Sequence, residues 1–176
     1  MITVALAENE HESGVQGRVT SMEEEEKWLS MAREIFPRHL LKYVDFRLSP
    51  TVEDNYCLFR GVRYRDVPDR PYDFVFVDGP KYIAPSDGSV TFDFDLLEVL
   101  LKSEHRVSAI IDKRVSTCFV LQSILGEDRV KYSAVLHLGF VRPSTCHDLR
   151  KIDPQTPSGS FARSFRVLGN SILRFR

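Results

Sequence analysis

Three carboxylates stand where the chain is set to turn out of an extended run. Glu23 follows Val19-Thr20-Ser21-Met22, Asp78 follows Phe74-Val75-Phe76-Val77, and Asp112 follows Val107-Ser108-Ala109-Ile110-Ile111. Parallel sheets bind ligands beyond the carboxyl ends of their strands, so acids at those ends are the first candidates for chemistry. Glu23 lies just before a helical pattern, a position from which a carboxylate accepts hydrogen bonds from both hydroxyls of a nucleoside ribose. The same acid would also suit the positive end of that helix. Asp78 precedes Gly79-Pro80, a pair that forces a sharp exit and lets the backbone lie close to a ligand. There it could face that ligand, or bond the amides of its own turn. Asp112 is followed by Lys113 and Arg114, and an exposed ion pair is its simplest use.

The elements that must position these acids alternate between strand and helix. Residues 2–12 read as a helix that begins without a capping residue. Gly14 and Gly17 break it, and residues 18–22 have the β-branched character of a short strand. The acidic run Glu23 to Glu26 suits a helix start, and Trp28, Leu29, Met31, Ala32, Ile35 and Phe36 then recur at helical spacing until Pro37. Residues 43–48 form the next predicted strand, residues 56–67 an edge hairpin, and residues 66–71 a turn. The unbroken apolar run at 74–77 predicts a parallel strand buried on both faces. A loop to about Val90 follows, then a helix carrying Phe94, Leu96, Leu97, Val99, Leu100 and Leu101. Residues 107–112 predict a second buried strand, and Phe119, Val120, Ile124 and Leu125 a helix closed by Gly126. Residues 130–140 alternate as one strand, 142–162 read as an exposed loop, and 165–175 as a closing strand around Gly169-Asn170.

Composition narrows the function classes. The 176 residues are 43% hydrophobic and 28% charged, as in an ordinary globular chain. A formal net charge of -1 gives no general attraction to nucleic acid or an anionic membrane, so neither is an expected partner. The basic end (Arg163, Arg166, Arg174, Arg176) reads as a solvated strand face. No apolar run approaches the length needed to span a bilayer, and no signal peptide is legible. Cys57, Cys118 and Cys146 are odd in number and lack metal-type spacing, which favours a reducing compartment, most simply the cytoplasm. The five histidines are scattered and suggest no zinc site. Ser116-Thr117-Cys118 reads as the start of a helix, with no nucleophile motif around it.

Order and spacing carry a resemblance. Val19-Thr20-Ser21-Met22-Glu23, a helix with Trp28, Gly61-Val62-Arg63-Tyr64, and Tyr72-Asp73-Phe74-Val75-Phe76-Val77-Asp78-Gly79-Pro80 resemble the class I S-adenosylmethionine-dependent methyltransferases. The likeness runs from about Ile2 to Asp112. It implies a single domain over 1–176, a Rossmann-like three-layer α/β sandwich with a mostly parallel sheet and an antiparallel C-terminal strand. It implies S-adenosylmethionine as cofactor and a small-molecule acceptor, with a homo-oligomer compatible. Glu23 would hold the cofactor ribose, Leu48 and Ser49 would lie near the adenine, and Asp78 would border the methyl-transfer pocket. Asp78-Gly79-Pro80-Lys81 has the D-x-x-K spacing of metal-dependent catechol-type O-methyltransferases, where the lysine serves as base and the acid helps hold Mg²⁺. By that likeness Lys81 is a candidate base, and Asp78 and Asp112 are candidate metal ligands. Lys113 stands where those enzymes have a second ligand, and its charge opposes a metal. The family's glycine-rich loop has no counterpart, since no G-x-G occurs. The expectation is a chain lacking the first strand and loop: a truncated product, or a degenerate member acting as a binding protein.

Overall fold

The computed structural model describes residues 2–14 and 17–151. The chain divides into two compact units, Met1–Val52 with Tyr64–Pro68, and Glu53–Arg63 with Asp69–Arg176. In the first, helix α1 (Ile2–Ser13) precedes strand β1 (Val19–Glu23), helix α2 (Glu26–Ile35) and strand β2 (Val44–Leu48). β1 and β2 run parallel, with Val19 opposite Val44 and Glu23 opposite Leu48. The α2 crossover makes that parallel pairing possible, because a tight turn can return the chain only antiparallel. Ala7, Phe36, Leu40 and Val44 form the core of this unit. Phe36 meets Phe46 edge-to-face with ring centroids 5.1 Å apart, the arrangement aromatic quadrupoles favour. On α2 the residue turned inward is Leu29, while Trp28, Met31 and Ile35 are exposed.

Strands β3 (Thr51–Tyr56) and β4 (Phe59–Tyr64) pair as a separate two-stranded sheet around a turn at Cys57, whose φ is 53°. In the second unit strands β5 (Phe74–Val77), β6 (Val107–Asp112), β7 (Val130–Ser133) and β8 (Leu138–Ser144) form one sheet in the order β5-β6-β8-β7. β5 and β6 are parallel, with Val77 opposite Ile111. β8 runs antiparallel to both β6 and β7. Helices α3 (Asp95–Lys102) and α4 (Val115–Leu125) supply the apolar faces that cover it. Leu96, Leu100, Val107, Ile111, Leu121, Leu125 and Val130 are buried together. Alternation is clear in β6, where Val107, Ala109 and Ile111 point inward, as a strand with one covered face requires. Gly139 lies where β8 passes α4, and any Cβ there would collide with Cys118 Sγ. No described helix is long and apolar enough to cross a membrane.

The Rossmann-like sandwich with a mostly parallel sheet is not what forms. Strands of the described residues fall into two-, two- and four-stranded sheets, and only β1–β2 and β5–β6 pair in parallel. The cause is local closure. β3–β4 and β7–β8 each fold back on a short turn instead of crossing over through a helix, so those strands cannot extend a parallel sheet. Residues 130–140, expected as one strand, are such a hairpin, turning through 134–137 with His137 at φ 55°. The strand at 74–77 is parallel but stands at the end of its sheet's order, and only Val77 of its four residues is buried. β8 also takes the first residues of the expected loop at 142–162, and the closing strand at 165–175 lies outside the described residues.

Leu121 is fully buried in the four-stranded unit, whereas Ile35 is 59% exposed. Denaturant titration is expected to show Leu121→Ala losing about 2–5 kcal/mol, as buried leucines do. Ile35→Ala should stay within about 0.5 kcal/mol of the parent.

Candidate functional site

The parallel register of β5 and β6 brings two of the three acids to one edge. Val77 lies opposite Ile111, so Asp78, the first residue past β5, and Asp112, the last residue of β6, come side by side. Burial pushes the Asp78 carboxyl above its ordinary value, and the negative charge of Asp112 adds to the effect. Arg114 and Lys113 pull the other way. Asp78 is exposed and Asp112 half-buried, so a ligand can reach the pair. The Gly79–Pro80 peptide bond is cis. After Asp112 the chain turns through Lys113 at φ 53°, whose N–H donates to His137 O at 2.9 Å. That bond ties the β7–β8 turn to the end of β6.

Beneath the edge lies a buried network. Asp93 sits between Phe92 and Phe94, and all three are buried. The N–H of Val62 donates to Phe92 O and that of Phe94 to Val62 O, so β4 holds the backbone on both sides of Asp93. Arg114, at the entry to α4, donates through Nη1 to both carboxylate oxygens of Asp93 at 2.9 and 3.1 Å. The same Nη1 reaches Pro80 O at 2.9 Å, and Nη2 donates to Asp78 O. The guanidinium lies over the Tyr82 ring, 5.1 Å from its centroid, close enough for a cation–π contribution. Thr117 donates its hydroxyl proton to Asp93 Oδ2 at 2.9 Å and accepts the Asp93 N–H at 3.0 Å. Burial still dominates, and pushes the Asp93 carboxyl up to about 7 against the pull of Arg114 and Thr117.

The segment after the turn is ordered by its own bonds. Tyr82 O accepts both the N–H and the hydroxyl of Thr91, at 2.8 and 2.9 Å. Ile83 and Val90 bridge antiparallel. At its tip Asp87 accepts from Ser89 and Arg60, which holds its carboxyl down at about 2. Lys81 follows the turn and is exposed.

The other expected cofactor residues lie in the first unit. Glu23 and Leu48 are opposite each other in register, and Ser49 N donates to Glu23 O at 2.9 Å. Glu23 Oε1 accepts the N–H of Glu24 at 2.8 Å and of Glu25 at 3.1 Å. This is the helix-entry use that competed with the ribose role. Ser49 is buried, and its hydroxyl oxygen accepts the Asp66 N–H at 2.9 Å. Leu48 is left 46% exposed beside Glu23.

Sequence reasoning missed Asp93, Arg114 and Thr117. Arg114 does not form the exposed pair with Asp112 expected from their nearness in the chain; its ion-pair partner is Asp93, and it is only 13% exposed. The available sign was a lone acid inside Phe92-Asp93-Phe94. Cys118, next along α4, is buried, and burial with the charge of Asp93 pushes its thiol up to about 12. Such a thiol supplies no thiolate nucleophile at neutral pH. Among the described residues no group of three or more His, Cys, Asp or Glu is placed to hold a metal ion. No family model, curated protein or solved structure matches the chain.

Folding raises the Asp93 carboxyl from its ordinary 3.8 to about 7, so between those values the native chain holds a proton that the unfolded chain has released. The stability from that proton is complete below about pH 4 and lost as pH rises through about 7. Asp93→Asn removes the titration. Unfolding free energies are expected to show the parent losing stability relative to the variant, on the order of a few kcal/mol, between about pH 4 and pH 8. Parallel pH curves would contradict the assignment.

Proposed function

We propose that the chain is a methyltransferase-type protein, using S-adenosylmethionine to methylate a small-molecule acceptor. The observation that carries this reading is the pair of acids, Asp78 and Asp112, at adjacent carboxyl ends of the parallel strands β5 and β6. That is the edge at which parallel sheets take ligands. The motif order of the sequence supports it. When bound, the cofactor supplies an electrophilic methyl group on a sulfonium. Within the first unit, taken by itself, Glu23 and the exposed Leu48 opposite it offer an acceptor for hydroxyls and an apolar shelf. Asp78 would orient the acceptor hydroxyl or amine and take its proton as the acceptor–methyl bond forms and the methyl–sulfur bond breaks, the electron pair leaving with sulfur as a neutral thioether. Its raised carboxyl makes it a better base than an ordinary aspartate. Lys81, exposed beyond the turn, is the alternative base.

A net charge of -1 supports a small acceptor over nucleic acid. Mg²⁺ is a weaker part of the reading, since Lys113 follows Asp112 directly. Three unpaired thiols, Cys57, Cys118 and Cys146, support a reducing compartment such as the cytoplasm. One observation favours a second reading, a non-catalytic binding protein of the same descent. The Glu23 carboxylate already accepts two amides of its own turn.

Calorimetry with S-adenosylhomocysteine separates the two. The transferase reading expects one site with a dissociation constant in the micromolar to millimolar range typical of enzyme ligands. No heat of binding from a folded sample contradicts it and leaves the binding-protein reading. With radiolabelled S-adenosylmethionine and a panel of hydroxyl and amine acceptors, Asp78→Asn is expected to lower transfer by about a hundredfold or more. Full activity would remove Asp78 from the mechanism.

A further inference from the structure

Arg114, at the entry to α4, ties the turn at residues 78–82 to the buried Asp93. Its guanidinium donates to the Asp93 carboxylate, to Pro80 O and to Asp78 O, and its central carbon lies over the Tyr82 ring. Only a planar fork with several donors in fixed directions spans such a set, because an ammonium offers a single atom. The anchor of the fork is immobile. Asp93 is fully buried, its two oxygens accept from Arg114 and Thr117, and its own N–H is held by the Thr117 hydroxyl. The two carbonyls that the fork grips flank Gly79, at the point where β5 leaves its sheet for the turn.

We propose that Arg114 is the positioning residue of the Asp78–Asp112 edge, fixing the turn at residues 78–80 so that the Asp78 carboxylate stays beside Asp112. It acts through two main-chain carbonyls, not through a reactant, and what the edge then receives rests on the transferase reading. Asp93 is the counter-anchor that fixes the plane of the fork. Charge alone does not do this: Lys113 already stands next to the acids.

The test compares Arg114→Lys, which keeps the charge and loses the fork, with Arg114→Ala, which leaves a guanidinium-shaped space above Asp93. Hydrogen exchange of residues 78–82 is expected to speed up about tenfold in Arg114→Lys, with β6 and α4 unchanged. In Arg114→Ala, ethylguanidinium should restore the protection of 78–82 and ethylammonium should not. Parent-like exchange in Arg114→Lys overturns the proposal. So does protection lost evenly across β6 and α4, or equal rescue by the two ions. Affinity for S-adenosylhomocysteine gives the separate functional arm, with a loss of about tenfold expected in Arg114→Lys. A parent protein that binds none counts against the transferase reading, while the exchange data still decide the role of Arg114.

Discussion

A buried carboxylate of the second unit has to be neutralised in place, and the solution sets the shape of the edge above it. Asp93 follows Phe92 and precedes Phe94 in the chain, and it has no exposed surface. An isolated charge there would be strongly unfavourable, so the site draws in Arg114 and Thr117. Arg114 then has donors left over, and these grip the carbonyls of Asp78 and Pro80. Core electrostatics and surface geometry are thus one arrangement. Replacing either partner alone leaves the other buried and unsatisfied, the situation in which ion pairs matter most.

The exposed acids are tuned by the same arrangement. Asp78 is raised by burial and by Asp112, and lowered by Arg114 and Lys113. The charge of Asp112 on the adjacent parallel strand adds to burial in favouring the protonated form of Asp78. The cations beside them limit that repulsion without occupying the edge as a metal would. At the other acid the balance differs. Glu23 spends one oxygen on the amides of Glu24 and Glu25, which fixes its rotamer at the entrance to α2. That carboxylate is held as firmly as a binding group should be, but partly by its own chain.

Much of this edge was legible in the sequence, because strands ending in an acid before Gly-Pro or before a helix are punctuated locally. Asp78 and Asp112 follow from that punctuation and from the crossover between β5 and β6. Asp93 was not legible. It reads as one polar position in an aromatic alternation, and its partner lies 21 residues away, beyond α3 and β6. Periodicity also finds strands without saying which ones pair. The turn at 134–137 has neither glycine nor proline, and its Ala134, Val135 and Leu136 continue the apolar pattern of the flanking strands. Only the positive φ of His137 reveals the reversal, and with it the mixed sheet that displaces the expected parallel sandwich.

The dependence of the edge on the buried pair can be measured directly by a double-mutant cycle on Asp93 and Arg114. Unfolding free energies of the parent, Asp93→Asn, Arg114→Ala and the double variant would be compared at about pH 8, where Asp93 is mostly charged. A coupling energy of about 2 kcal/mol is expected for a close charged pair with two hydrogen bonds. A coupling within error of zero would mean that Arg114 and Asp93 act independently, and would contradict the account.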